Sequence, residues 1–187
     1  MAKPGKHTLE EILSQPKSWA KTAKLMAALR GEIAALWGAR PWQQVVFTGC
    51  GSPYYLSLAA ASLFRQLTGR CAVAAPASEL WLNPAGTYLG AGDVLLVAVS
   101  RSGETTEVLR AVEAFKEAKR GQVVVITCEE KSALYGRGDL NIGLPWAAEQ
   151  SIAQTRSLAS MYVAAVGLCA ICAGREDLLA ALGELAH

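Results

Sequence analysis

Short apolar runs alternate with amphipathic helical patterns from residue 43 onward. Residues 94–99 carry no polar side chain, and the amphipathic stretch 103–121 follows them after a short polar loop. Runs that are apolar throughout, rather than at every second residue, are typical of strands buried on both faces of a parallel sheet. Because the strand–helix pattern repeats, we predict an α/β protein: a three-layer αβα sandwich around a five-stranded, mostly parallel sheet with right-handed crossovers.

The individual elements follow from the same patterns and from turn residues. We predict strands within 43–52, 70–80, 92–100, 122–130 and, as a weaker edge strand, 139–145. Helices are predicted over 53–69, 103–121 and 148–173, with a short helix after them. The N-terminal part reads as two helices broken near Pro16, the first capped by Thr8 with Glu11 completing a capping box. We therefore divide the chain into an N-terminal helical segment, 1–40, and one α/β domain, 41–187.

Charge and composition narrow the function classes. The net charge of +2 and the absence of a basic cluster argue against a nucleic-acid partner. The uncharged stretch 158–174 is short for a membrane span and rich in small residues, so we expect a buried helix and no membrane partner. The five cysteines are an odd number and no signal peptide is visible, which favours reduced thiols in the cytoplasm. Cys169 and Cys172 form a C-x-x-C, but His7 and His187 lie at the chain ends, so we predict core packing and no metal or cofactor.

The loop "SRSGETTE", residues 100–107, is the strongest candidate for a ligand site. It sits between a predicted strand and a predicted helix, and it carries four hydroxyl side chains: Ser100, Ser102, Thr105 and Thr106. Gly103 permits close backbone approach, and the following helix directs unpaired N–H groups and its positive dipole end at the loop. This combination favours an anion such as a phosphate. The alternative is that the hydroxyls only cap the helix.

A second polar loop, "GCGSPYY" at 49–55, follows the first predicted strand. Pro53 stands where a dinucleotide-binding fingerprint continues with glycine, and the third glycine of that fingerprint is missing. The chain also has no G-x-x-x-x-G-K-[ST] motif for a nucleoside triphosphate. In an open parallel sheet, both loops would lie at the carboxyl ends of strands, where ligands bind.

Four stretches resemble the sugar isomerase (SIS) domain, in that family's order and spacing: "TLEEILSQPKSW", "FTGCGSPYYLSLAAASLF", "AVSRSGETTEVLRAV" and "EQSIAQTRSLASMYVAAVGL". The resemblance covers nearly the whole chain. It is greatest to the first of the two SIS domains in proteins such as the isomerase part of glucosamine-6-phosphate synthase and the AgaS-type proteins. It implies a flavodoxin-like SIS fold that binds a phosphosugar, within an aldose–ketose aminosugar-phosphate isomerase or deaminase system.

The resemblance also implies roles for individual residues. The hydroxyl loop of the family grips the sugar's phosphate, which corresponds here to Ser100, Arg101, Ser102 and Thr105, with Gly103 shaping the loop. Arg101 stands where the synthase has Gln. The first loop contacts the sugar through Ser52 and the next position, where Pro53 replaces a Ser and one hydroxyl contact is lost.

The stretch "EQSIAQT" resembles a family segment that meets the sugar, which implies that Ile152 and Glu149 lie near the ligand. Aldose–ketose isomerisation needs a base near neutral pH, and Glu149 is the candidate within this chain. Its alternative role is a helix N-terminal carboxylate.

Three functional hypotheses remain open from the sequence. In the first, the chain binds the sugar phosphate, and a second SIS domain following residue 187 or a neighbouring subunit completes the chemistry. In the second, the chain is a complete single-domain isomerase acting as an oligomer, with Glu149 as base. In the third, it is a non-catalytic sensor that regulates a partner. The apolar stretch 158–173 and the N-terminal helices also predict a homodimer or higher homo-oligomer.

Overall fold

The computed structural model describes residues 5–90 and 92–185. Five strands form one sheet: β1 Gln44–Gly49, β2 Ala72–Pro76, β3 Val94–Ser100, β4 Gly121–Thr127 and β5 Leu140–Gly143. Eight α-helices accompany it in the described residues: α1 Lys6–Leu13, α2 Gln15–Ala28, α3 Arg30–Gly38, α4 Ser52–Thr68, α5 Ala77–Leu82, α6 Thr106–Glu117, α7 Arg156–Cys172 and α8 Glu176–Glu184.

The sheet has the order β2-β1-β3-β4-β5, and every neighbouring pair of strands is parallel. This is the flavodoxin-type order, in which the chain starts near the centre, moves to one edge, and returns past β1 to build the other side. The predicted α/β sandwich is therefore confirmed, and the sheet is parallel throughout. The weak fifth strand is present and lies at the edge.

Each face of the sheet is covered by its own apolar cluster, because the strand side chains alternate between the faces. Phe47 and Val97 point into a cluster that includes Phe64 of α4 and Leu168 of α7. The opposite faces of the same strands pack in a second cluster that includes Phe115 of α6. All seven residues of β3 are buried, as expected for the central strand of such a sheet.

The N-terminal helices pack on the domain through α7. Met26 of α2 and Ile33 of α3 are fully buried, and Gly167 of α7 lies where a Cβ would approach Met26 to 2.9 Å. Cys169 and Cys172 are buried and unbonded in this region, as expected from the sequence. No helix in residues 5–90 and 92–185 combines the length and the apolar character needed to cross a membrane.

Three details of the sequence prediction are wrong. Helix α1 begins at Lys6 after Gly5, so Thr8 lies inside the helix and is not its N-cap. The second N-terminal helix is two helices, which meet at Leu29. The helix predicted to start at 148 starts at Arg156. Of the residues discussed above, His187 lies outside the described residues.

Candidate functional site

The loops after β1 and β3 lie side by side at the carboxyl edge of the sheet. Thr48 of β1 is paired with Ala98 of β3, so the two strands end next to each other. The chain runs from β1 to β2 on one side and returns to β3 on the other, which makes this the switch point in strand order. Ligands of open parallel sheets bind in the crevice at such a point. The fold thus brings together the two polar loops identified from the sequence.

Local hydrogen bonds define the shape of the hydroxyl loop. Ser100 Oγ accepts the backbone N–H of Gly103 at 3.1 Å and lies 3.2 Å from Thr105 Oγ1. Ser102 Oγ accepts the backbone N–H of Glu104 at 3.2 Å, and its side chain is exposed. The loop is therefore preformed, with one hydroxyl buried beneath it and another on its surface.

Gly103 adopts a left-handed conformation, with φ of 65°. A Cβ at this position would collide with Ser132, and it would come within 3.1 Å of Thr127 Oγ1. The Gly103 carbonyl accepts the N–H of Leu134 at 3.0 Å, which fastens the loop to the segment after β4. Glycine is required here both by the backbone angle and by the close neighbour.

Helix α6 begins directly after this loop. Among the described residues, Thr105 at its N-cap makes no side-chain capping bond, and its hydroxyl faces Ser100 instead. The Thr105 hydroxyl therefore does not cap α6, and the anion-binding role of the loop stays a prediction. The first-turn N–H groups and the positive end of the helix dipole remain directed at the loop.

The first loop presents Ser52 at the start of α4. Ser52 is exposed, whereas Pro53 is buried. Gly49 lets the end of β1 pack closely against the Pro53 backbone, because a Cβ on Gly49 would lie 2.8 Å from the Pro53 backbone carbon. Ser52 also lines an apolar groove of about 770 Å³ between α1, α4 and α7, together with Ile12, Tyr55, Gln154, Leu158 and Tyr162.

The segment that was predicted to begin a helix at 148 is an irregular stretch beside the hydroxyl loop. Ile152 is 95% exposed at its tip. Arg101 Nη1 donates to the carbonyl oxygens of Ser151 at 3.0 Å and Ile152 at 3.3 Å. Arg101 therefore joins the hydroxyl loop to the segment around Ile152, the two stretches that the resemblance implies lie near the ligand.

Glu149 has a fully buried side chain at the N-terminus of α7. Its carboxylate accepts the N–H and hydroxyl of Thr155, at 3.0 and 2.9 Å, and the hydroxyl of Ser157. Arg101 Nη1 lies 3.8 Å away. These contacts are those of a helix N-terminal carboxylate, the alternative role that the sequence left open for this residue. These contacts do not test whether Glu149 acts as a base, so that role stays a prediction.

A small cavity of about 220 Å³ lies between the hydroxyl loop and Glu149, lined by Arg101, Ser102, Cys128, Glu129, Ala148 and Glu149. Burial, reinforced by the charge of Glu149, raises the pKa of the Cys128 thiol to about 12. Cys128 is therefore neutral at physiological pH and unsuited to nucleophilic chemistry. No group of three or more His, Cys, Asp or Glu side chains among the described residues is arranged to hold a metal ion.

Glu11 contacts the segment beside the hydroxyl loop, a contact that the sequence prediction missed. It is only 4% exposed, and its carboxylate accepts the N–H groups of Gln150 at 2.6 Å and Ser151 at 3.3 Å, together with the hydroxyl of Ser151. The capping-box pattern predicts a different partner for the Glu11 carboxylate, the backbone N–H of Thr8, only three residues away. No local signal in the sequence indicates a contact across 139 residues.

Comparison with known proteins places this geometry in a family. The model of the SIS domain matches residues 40–170. The chain belongs to the SIS domain family. An Escherichia coli D-galactosamine-6-phosphate deaminase, AgaS, is 29% identical over 138 residues, which cover 72% of this SIS chain and 36% of the relative. Isomerizing glutamine–fructose-6-phosphate aminotransferase 1 of Arabidopsis thaliana is 27% identical over 174 residues, 85% of this chain and 24% of the relative.

Among solved structures, tagatose-6-phosphate ketose/aldose isomerase from Escherichia coli superposes with a TM-score of 0.79 at 26% identity. The superposition covers 91% of this SIS chain and 49% of the isomerase chain. The chain therefore spans about half of that isomerase and about a third of the curated deaminase. The resemblance to the SIS domains of phosphosugar isomerases is confirmed.

Proposed function

We propose that this SIS domain binds a hexose or aminohexose 6-phosphate, with the phosphate held by the loop of residues 100–106 at the N-terminus of α6. The observation that carries the proposal is a preformed hydroxyl loop at the switch point of the sheet, followed by a helix whose N-cap side chain makes no capping bond. The names of the relatives, a galactosamine-6-phosphate deaminase and a tagatose-6-phosphate isomerase, support a phosphosugar as the ligand.

In this proposal each loop has a distinct task. Ser102, Thr105 and the first-turn N–H groups of α6 donate to the phosphate oxygens, and Arg101 supplies positive charge. Hydrogen bonds to a charged group contribute about 1.5–3 kcal/mol each, so a few of them suffice for micromolar binding. Ser52 and the exposed segment around Ile152 face the sugar from the neighbouring strand ends. Pro53 offers no hydroxyl, so the sugar has one protein contact fewer than in the synthase-like pattern.

The chemistry that fits the ligand is transfer of a proton between C1 and C2 of the sugar. In a deaminase the shift leaves an imine at C2, and water hydrolyses it to the ketose as ammonia leaves. We propose that groups beyond this chain, from a second SIS domain or a neighbouring subunit, supply the base. The greater length of the relatives supports this arrangement.

A second candidate is catalysis by this domain alone, with Glu149 as base. The position of Glu149 on the cavity beside Arg101 and Ser102 favours it. The bonds from Thr155 and Ser157 oppose it, since they occupy the carboxylate in a capping role.

Two assays separate these candidates. Thermal unfolding is measured with galactosamine 6-phosphate, glucosamine 6-phosphate and fructose 6-phosphate, and isomerisation and ammonia release are measured in parallel. Stabilisation without turnover supports the binding domain, or a sensor that regulates a partner. Turnover that is lost in a folded Glu149→Gln variant supports catalysis by this chain. Failure of every sugar phosphate to stabilise the protein contradicts the proposal.

We also propose a homo-oligomer and a cytoplasmic location. The apolar groove beside Ser52 is bordered by Tyr55, which is 71% exposed, and by Ile12, which is 45% exposed. Burial of these side chains against a second copy would remove apolar surface from water. All five cysteines are unbonded, which supports a reducing compartment.

A further inference from the structure

The segment Glu149–Ala153, here called the bridging segment, depends on side chains from distant parts of the chain. It lies between a short 3₁₀ turn that ends at Ala147 and the start of α7 at Arg156, outside regular secondary structure. Backbone groups in such a stretch have no ladder or helix partners, and they need other hydrogen-bonding groups. Two side chains of opposite charge provide them here, one on each side of the segment.

Glu11 holds the N–H side. The carboxylate accepts the backbone N–H groups of Gln150 and Ser151, and the hydroxyl of Ser151. A carboxylate is suited to this task because it only accepts, and all three of these partners donate. Glu11 belongs to α1, outside residues 40–170 that match the family model.

Arg101 holds the carbonyl side. Nη1 donates to the carbonyl oxygens of Ser151 and Ile152. The backbone of Arg101 is itself fixed, since its carbonyl accepts the N–H of Cys128 at 3.1 Å and the hydroxyl of Thr127 at 3.3 Å. The guanidinium has five N–H donors, so other donors remain for a phosphate while Nη1 stays on the segment.

We propose that Glu11 and Arg101 act as positioning residues that clamp the bridging segment over the sugar site, and that Arg101 couples its position to phosphate binding. Only the coupling to phosphate binding rests on the proposed function; the clamp does not. Occupation of the hydroxyl loop orders the Arg101 side chain, and the ordered guanidinium holds the Ser151 and Ile152 carbonyls more firmly. The N-terminal helix is thereby part of the ligand site and not only a packing element.

The first test needs no ligand. Amide hydrogen exchange is measured by NMR for Gln150 and Ser151 in the wild type, Glu11→Ala and Glu10→Ala. Glu10 is the matched control, because it neighbours Glu11 on α1 but is exposed, and its carboxylate pairs with Lys6 on the same helix. Glu11→Ala is expected to accelerate both amides by about tenfold or more, since each loses a charged acceptor, while Glu10→Ala leaves them unchanged.

Exchange in β3 serves as the control for folding. If Glu11→Ala does not fold, Glu11→Gln replaces it, because the amide keeps the volume and one acceptor oxygen; a smaller acceleration at the same two amides is then expected. Unchanged exchange of Gln150 and Ser151 in a folded Glu11 variant overturns the clamp.

The second test uses galactosamine 6-phosphate at saturation. In the wild type, the sugar phosphate is expected to protect both residues 100–106 and the bridging segment. Arg101→Met is expected to weaken binding, so it is measured at a concentration that saturates the variant as well. There it should still show protection of 100–106 but lose that of the segment, and Arg101→Lys should restore part of the segment's protection. If the sugar phosphate protects the bridging segment equally in Arg101→Met and in the wild type, the coupling is overturned. If galactosamine 6-phosphate protects neither region in the wild type, the ligand assignment fails, and the clamp is still judged by the ligand-free exchange.

Discussion

At the residue scale, the hydroxyl loop shows what a sequence can reveal about a site. Serine, threonine and glycine at 100–106 are chemically suited to an anion wherever they are placed, so Ser100, Ser102 and Thr105 could be selected from their types and order. Glu11 could not be selected, because its function depends on which backbone groups the fold brings to it. The local pattern pairs the Glu11 carboxylate with the backbone N–H of Thr8. In the structure its partners are Gln150 and Ser151, far away in the sequence.

Gly103 allows a direct test of the loop's geometry. Gly103→Ala is expected to lower the free energy of unfolding by about 1–3 kcal/mol, because a side chain at φ of 65° is strained and its Cβ would collide with Ser132. Gly31→Ala in α3 is the control: a Cβ there meets nothing within 4 Å, and the free energy of unfolding should rise by about 0.5–1 kcal/mol. Urea unfolding of both variants measures the difference. Equal stability of the two would show that the loop does not need glycine.

At the element scale, the start of α7 explains the largest error in the sequence prediction. The residues from 148 onward are compatible with helix by type, and the predicted helix ran through them. In the structure, Glu11, Arg101 and Glu149 supply the backbone partners of this stretch instead, and the helix begins only at Arg156. Tertiary contacts of this kind override local propensity, and they have no periodic signature. The central strands, by contrast, were predictable because burial on both faces requires continuous apolar runs.

Glu149→Gln tests the capping role of this carboxylate. The free energy of unfolding is expected to fall by about 1–2 kcal/mol, because the amide NH₂ group replaces one of two acceptor oxygens that face N–H and O–H donors. Glu113→Gln on the exposed face of α6 is the isosteric control and should change stability by less than about 0.5 kcal/mol. Chemical denaturation checks both variants. If they are equally stable, Glu149 is not an N-terminal cap of α7, and its candidacy as a base gains weight.

At the scale of the whole molecule, the strand order places the site. Patterns along the chain predicted five strands and the three layers, but not which strands are neighbours. The order β2-β1-β3-β4-β5 makes the loops after β1 and β3 adjacent, and this adjacency is what allows the proposal that the Ser52 and Ser102 loops contact one ligand. Helices α2 and α3 pack on α7, so this part of the predicted N-terminal segment 1–40 lies against the α/β domain.

The exposed apolar groove predicts self-association at this scale. Sedimentation at micromolar concentration is expected to show a dimer or larger species for the wild type, and a shift to monomer for the Tyr55→Glu/Tyr162→Glu variant, because buried charge without a partner opposes association. Leu82→Glu is the control, since Leu82 is 65% exposed but lies on α5, away from the groove. A monomeric wild type contradicts the oligomer, and equal effects of the two variants would place the interface elsewhere.

The central claim, that residues 100–106 hold the phosphate of a sugar phosphate, is tested most directly by calorimetric titration with galactosamine 6-phosphate and fructose 6-phosphate. We expect micromolar binding of at least one of them to the wild type. Ser102→Ala/Thr105→Ala should weaken it by about a hundredfold or more without unfolding the protein, because two hydrogen bonds to a charged group are lost. Thr68→Ala, at the far end of α4, should bind as the wild type does. Undiminished affinity of the folded double variant would contradict the phosphate site.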